Sequence, residues 1–355
     1  MYEGFFGLSE LPFELVPNPR FLFLPSRQRE AFSNLRYGLT TPKGLTLLIG
    51  DAGTGKTTLV HSILAEIDSS RIDCVLISNP TLTRAEFYEH LATSFGLSDE
   101  AVSSKTRLLL ELREHLVRRH EAGQLTALVL DEAQSLPYAL LEEVRLLGNI
   151  ETPTVKLLNI VLAGQPELAH RLNEVNLRQL KQRIALRCQL EPFSFQETAA
   201  YIAGRLRIAG GDPATIFSRE AVGAIHEASK GLPRTINVVC DNVMIEGFAS
   251  ESKPITRAMV EAVCRDFEIR LVEAVSANGN GVRPDREPAD VVGADDLSDD
   301  LNPGVESSDR AELEQNEGGH FEDMPRTADA IEADRYGGAP MFDSVVRKRR
   351  FSFFS

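Results

Sequence analysis

The stretch that most constrains this chain is 44–59, GLTLLIGDAGTGKTTL. Residues 45–49 are a continuous apolar run between glycines, which predicts a strand covered on both faces of a parallel sheet. Gly50 to Thr57 then matches G-x-x-x-x-G-K-[ST] at every fixed position, and a helix is predicted to open at Lys56. The spacing has a chemical reason. Gly50, Gly53 and Gly55, with Asp51, Ala52 and Thr54 between them, let the backbone wrap closely around a polyphosphate and turn N–H groups inward. Lys56 is then placed to reach the β- and γ-phosphates, and the Thr57 hydroxyl to ligate Mg²⁺. Lys56, Thr57 and Thr58 form the first helical turn, whose positive end adds to the attraction.

A second stretch supplies the carboxylates that such a loop needs. In 127–132, ALVLDE, four apolar residues put Asp131 and Glu132 at the carboxyl end of a buried strand, where doubly wound sheets place their ligand crevices. Asp131 is positioned to hold Mg²⁺ and Glu132 to orient and deprotonate the water that attacks the γ-phosphate. A further apolar run, 156–163 (KLLNIVLA), predicts another buried strand, from which Gln165 emerges at the same sheet edge. Gln165 reads either as a γ-phosphate sensor or as an ordinary turn residue.

Charge is distributed unevenly. The chain of 355 residues carries 38 basic and 52 acidic side chains, a net of −14. From Ser276 onward stand 9 basic and 18 acidic residues, which leaves 29 and 34 before it, a net of −5. The part expected to fold is therefore near neutral, which argues against a large nucleic-acid surface. Cys74, Cys188, Cys240 and Cys264 are widely spaced and read as reduced core residues of a cytosolic protein. The opening MYEGFFGLSELPF lacks a basic region followed by an apolar core, so no secretion signal is expected. No apolar run approaches the ~20 residues of a membrane span.

The remaining elements follow from periodicity. Residues 1–25 hold Phe5, Phe6, Phe13, Phe21 and Phe23 among prolines, which predicts an extended arm laid over the core, with an adenine pocket as its functional alternative. Ser26 is expected to cap a helix over 27–39. A strand is predicted at 74–78 with Asn79 at its end, helices at 84–95, 104–120 and 140–149, and a short strand at 187–190. Helices alone follow, at 195–209, 218–229, 233–249 and 256–275. Beyond residue 275 the Gly, Pro, Asp, Glu and Ser content predicts a disordered acidic tail. In its last fifteen residues, MFDSVVRKRRFSFFS, four consecutive basic residues are followed by three of the segment's four phenylalanines, suited to an anionic lipid surface or to a solvated terminus.

On these motifs the chain resembles the AAA+ ATPases, and within them the bacterial secretion ATPases of the ExeA (general secretion pathway protein A) type. The resemblance rests on the opening YEGFFGLSELPFELVPNPRFLFLPS, on GDAGTGKTT, DEAQ, LLNIVLAGQPEL and LKQRI, and on GLPRTIN. It implies an α/β P-loop domain with its arm over 1–190, an α-helical lid over 191–275 and the tail over 276–355. It implies ATP and Mg²⁺ as cofactors, Asn79 as the polar residue that restrains Glu132, Gln165 as first sensor and Arg234 as second sensor. Arg183 becomes the candidate arginine finger, with Arg178 and Arg187 as rivals. A homo-oligomeric ring that powers or regulates an envelope secretion system follows from the same likeness, as does a cytoplasmic location with peripheral contact at the inner membrane. ExeA-type proteins often continue into a membrane span and a peptidoglycan-binding region, and neither is expected here. The transposition ATPases of the TniB kind, which bind DNA, supply the alternative reading.

Overall fold

The computed structural model describes residues 1–16, 18–68, 70–78, 81–267 and 269. Among them, β1 (Leu45–Gly50), β2 (Ile72–Ile77), β3 (Leu125–Leu130), β4 (Asn159–Gly164) and β5 (Ile184–Leu190) form one sheet in the order β2-β3-β4-β1-β5. Every pairing is parallel. Every residue of β1 and β4 is buried, whereas the edge strands β2 and β5 alternate with exposed or half-buried positions. That contrast explains why the central strands read as unbroken apolar runs, since both of their faces are covered.

Helices supply that cover. α1 (Glu3–Phe6) and α2 (Ser26–Thr40) precede the sheet, and α3 (Lys56–Glu66) joins β1 to β2. α4 (Arg84–Ser94), α5 (Asp99–Ser103) and α6 (Lys105–Glu121) join β2 to β3, and α7 (Tyr138–Leu147) joins β3 to β4. α8 (Pro166–Arg171) and α9 (Arg178–Lys181) lead to β5. The pleat sends Leu45, Leu47, Ile49, Leu128, Leu130, Ile160 and Leu162 into one core with α4, α6 and α7. It sends Leu48, Val129, Val161 and Ala163 into a second, with Leu35 and Leu39 of α2 and Leu59 and Ile63 of α3. Gly38 lets α2 lie directly on β1, because a Cβ there would stand 2.4 Å from Thr46 Oγ1.

After β5 the chain is helical: α10 (Phe195–Ile208), α11 (Pro213–Ile216), α12 (Arg219–Ser229), α13 (Pro233–Ala249) and α14 (Arg257–Asp266). Their core includes Ile202, Leu206, Ile225, Ile236, Val243 and Val260, and it also takes in Tyr2, Phe6, Leu8 and Phe13 of the N-terminal arm. The arm therefore packs on the helical layer. The Tyr2 hydroxyl donates to Asp241 at 2.5 Å, and the Ser9 N–H to the Ala209 carbonyl at 2.8 Å.

Several local expectations are corrected. Ser26 is the first residue of α2 rather than its cap; Pro25 holds the cap position, with no side-chain bond to the helix. The arm is not wholly extended, since α1 and a 3₁₀ turn at Pro19–Phe21 interrupt it. α5 was not anticipated, because its five residues are too few to show a period; Ser98 caps it. α14 closes with Phe267 as its cap, and most of the helix expected beyond that point lies outside the described residues. The acidic tail with its basic and aromatic end also lies outside them, as does Asn79.

Candidate active site

At the carboxyl end of β1 the chain turns with φ of +84° at Gly53 and +96° at Gly55, values open to glycine and strained for other residues. A Cβ on Gly50 would meet Thr54 Oγ1 at 2.7 Å and the Leu190 carbonyl at 3.0 Å, so the loop can lie this close to β5 only with glycine at its start. The Thr54 hydroxyl donates to the Asp51 carbonyl at 2.8 Å and tightens the turn. Lys56 is 4% exposed, and its ammonium donates to the carbonyls of Gly50 at 2.8 Å and Asp51 at 3.1 Å. Burial pushes the Lys56 pKa down, against the opposing pull of Glu132, Asp131, Asp51 and Glu167. Phosphate oxygens can replace those two carbonyls while adding the negative charge that a buried cation favours.

β4 lies between β1 and β3, so Gln165 enters between the phosphate loop and the acidic pair. Asp131 is buried and its Oδ2 accepts from the Thr57 hydroxyl at 2.5 Å. One hydroxyl and one carboxylate brought together are the hard oxygen donors that Mg²⁺ takes alongside water and phosphate. Glu132 adopts the left-handed conformation, with φ +52°, a strained position typical of functional turns. Its Oε2 accepts from the side-chain amides of Gln134 at 2.6 Å and Gln165 at 3.2 Å. Burial would raise the Glu132 carboxyl, but those two donors and the Lys56 ammonium hold it below the usual carboxylate range. Lys56, Thr57, Asp131, Glu132 and Gln165 are thus brought together.

The opposite wall comes from the arm and the helical layer. A cavity of about 320 Å³ lies between the phosphate loop and Phe21, Phe23, Tyr201, Arg205 and Asn237. Arg234, in the first turn of α13, donates its backbone N–H to the Gly53 carbonyl at 3.2 Å, and its exposed side chain lines the same cavity. Arg205 is 7% exposed. Its guanidinium donates to the Pro12 carbonyl at 2.6 Å, to Asn237 Oδ1 at 3.3 Å and to the Tyr201 hydroxyl, and lies 4.8 Å over the Phe21 ring. The Asn237 amide in turn donates to the Glu14 carbonyl at 3.4 Å. The arm does both kinds of packing: Phe6 and Phe13 are core residues, and Phe21 and Phe23 line the cavity.

Arg183 stands apart from this constellation. Ile184 pairs with Leu45 and Leu190 with Gly50, so Arg183 lies at the far end of β5, roughly 20 Å from the phosphate loop. Its guanidinium donates to Asn149 Oδ1. Arg178 and Arg187 are both exposed.

Sequence reasoning assigned no role to Gln134, Tyr201, Arg205 or Asn237. For Gln134 the signal was its place two residues after Glu132; for Tyr201 and Arg205 it was their i, i+4 spacing on one helix face.

Residues 39–172 match the family model described as AAA domain. The chain is 41% identical over 255 residues to general secretion pathway protein A of Aeromonas hydrophila. The chain belongs to the AAA+ proteins. That match covers 72% of this AAA+ chain and 46% of the relative, so the chain spans about half the relative's length. Among solved structures, it is similar to Drosophila ORC bound to DNA, with TM-score 0.54 and 20% identity over 72% of this chain and 64% of that one. It is also similar to Aeropyrum pernix ORC1 in complex with DNA, with TM-score 0.54 and 17% identity over 72% and 69% of the two chains. At such identities these likenesses show the AAA+ fold alone. With the phosphate loop in place, the chain is a nucleotide-binding AAA+ protein.

Proposed function

We propose that this chain is a Mg²⁺-dependent ATPase whose turnover drives or regulates assembly of a bacterial envelope export system. The observation that carries the hydrolytic reading is Glu132, held by two side-chain amides beside the Thr57–Asp131 pair and the Lys56 ammonium. A protein that only bound nucleotide would have no use for a strained, aimed carboxylate next to the metal ligands. ATP would lie with its phosphates on residues 50–58 and its base toward Phe21 and Phe23. Mg²⁺, held by Thr57 and Asp131, would neutralise charge on the phosphates. Glu132 would take the proton of the attacking water, and Gln165, which now donates to Glu132, would turn toward the γ-phosphate. Arg234 at the mouth of α13 would report closure of the helical layer, with residues 191–275 acting as the lid.

The export role rests on the relative's name and on the family resemblance. Subunits would assemble in a ring on the cytoplasmic side, with Arg183 completing a neighbour's site and residues 341–355 making peripheral contact with the inner membrane. The test is direct. Lys56→Ala is expected to abolish ATP binding measured by calorimetry, whereas Glu132→Gln should bind ATP with Mg²⁺ and nearly stop phosphate release. Normal phosphate release by Glu132→Gln removes Glu132 as the base. A pulldown from native membranes with and without ATP identifies the export component, and recovery of DNA in its place moves the reading to transposition.

A further inference from the structure

We infer that Gln134 is a positioning residue for Glu132, using both ends of its amide to lock the base to the end of β4. The inference rests on the ATPase reading above and names how that site is aimed. Glu132 sits on a left-handed turn at the end of β3, where the backbone alone leaves its side chain free to swing. Gln134 Nε2 donates to Glu132 Oε2 at 2.6 Å, while Gln134 Oε1 accepts the Gln165 backbone N–H at 3.0 Å. The first bond is shorter than the 3.2 Å bond from Gln165 Nε2 to the same oxygen. Both side-chain donors fall on Oε2, so Oε1 is left uncommitted by them for a water.

Two features hold the Gln134 amide in place. A Cβ on Gly164 would stand 2.9 Å from Gln134 Oε1 and 2.8 Å from Leu168 Cδ2, so glycine at the end of β4 makes the room that the amide occupies. The Arg171 guanidinium, from the last turn of α8, donates to the Gln134 carbonyl and, at 2.9 Å, to the Leu136 carbonyl. It also lies 4.7 Å over the Tyr138 ring. The 132–136 turn is thereby tied to α8, whose start follows Gln165. When Gln165 Nε2 leaves Glu132 for a γ-phosphate, the Gln134 bond is the one that keeps the base aimed, because its acceptor end is fastened to backbone rather than to the moving side chain. Supporting groups of this kind set the geometry that a catalytic carboxylate needs.

The test uses the full chain carrying Gln134→Ala or Gln134→Glu, each alone and in the Glu132→Gln background. Single-turnover hydrolysis, ATP affinity and thermal unfolding are measured on all of them. Gln134→Ala should keep the parent's affinity and unfolding temperature while hydrolysis falls about tenfold or more, the loss of one charge-assisted hydrogen bond. Gln134→Glu keeps an oxygen for the Gln165 N–H but faces Glu132 with an acceptor, and should lose at least as much. In the Glu132→Gln background neither substitution should add a further loss, since no base is left to aim. The assignment is overturned by unchanged hydrolysis in Gln134→Ala, by activity regained in Gln134→Glu, by affinity falling in step with rate, or by an equal loss in the Glu132→Gln background. A parent protein that hydrolyses no faster than Lys56→Ala overturns the ATPase reading and this assignment together, an outcome distinct from an active parent indifferent to residue 134.

Discussion

The two walls of the nucleotide cavity are built by different means. The phosphate wall gathers Gly50, Lys56, Asp131, Glu132 and Gln165 at the carboxyl ends of three adjacent strands, so backbone pairing between β1, β4 and β3 holds their spacing. The facing wall joins the arm to the helical layer through side chains, in bonds between residues 193, 223 and 239 positions apart. Separating the first wall would require breaking the sheet. Separating the second requires breaking the hydrogen bonds and ring contacts around Arg205 and exposing Tyr2, Phe6, Leu8 and Phe13, which the arm buries in the helical core. Under the proposed reading, the chemistry would lie on the sheet side and closure would fall to the helical side.

The largest effect expected tests whether the phosphate wall is completed from outside the chain. Arg183→Ala should reduce hydrolysis by ~10³, the scale of a cationic finger supplied in trans, with ATP affinity little changed. Mixing Arg183→Ala subunits with Lys56→Ala subunits should restore part of the activity, because a Lys56→Ala subunit can supply its Arg183 to the otherwise intact site of an Arg183→Ala neighbour. Recovery with an Arg178 variant in place of Arg183→Ala would assign the finger to Arg178 instead.

The second prediction separates the walls. Arg205→Met should leave the Pro12 carbonyl without its buried donor, while Asn237 Oδ1 keeps the Tyr201 hydroxyl at 2.8 Å, and should destabilise the fold by about 1–3 kcal/mol, read by denaturant unfolding. ATP affinity should fall more than the hydrolysis rate of the saturated protein, since Arg205 holds the arm and touches none of the groups at the phosphates. A collapse of the saturated rate at unchanged affinity would break the division between walls.

The smallest effect concerns a segment outside both. Removing residues 341–355 should leave ATP hydrolysis in solution unchanged and weaken binding to anionic liposomes, increasingly at low salt, because Arg347, Lys348, Arg349 and Arg350 each contribute about 1 kcal/mol near such a surface. Equal liposome binding by the shortened and full chains removes the membrane role.

The phosphate wall was legible because its chemistry is local. A loop whose glycines must take positive φ, a lysine at a fixed offset and a carboxylate pair at a strand end are each set by a few consecutive residues, and β1, β3 and β4 announce themselves by burial on both faces. The order of those strands was not legible. β4, the fourth in sequence, inserts between β1 and β3, and that crossover is what delivers Gln165 to Glu132. Ser26 was misread for a local reason: a serine before a helix resembles a cap unless the residue ahead of it already holds that place, as Pro25 does here.

By itself, then, the sequence determined that a phosphate-loop motif and an Asp-Glu carboxylate pair stand at the ends of buried parallel strands, since short-range geometry and apolar periodicity suffice for that. Only the tertiary structure decided what surrounds them. Gln134 becomes a partner of Glu132 because Gly164 leaves room for its amide, and Arg205 becomes the fastening of the arm because α10 lies against Pro12 and Phe21. Such contacts join residues far apart in the chain, and their energies depend on burial and mutual distance, quantities that no local pattern of side chains encodes.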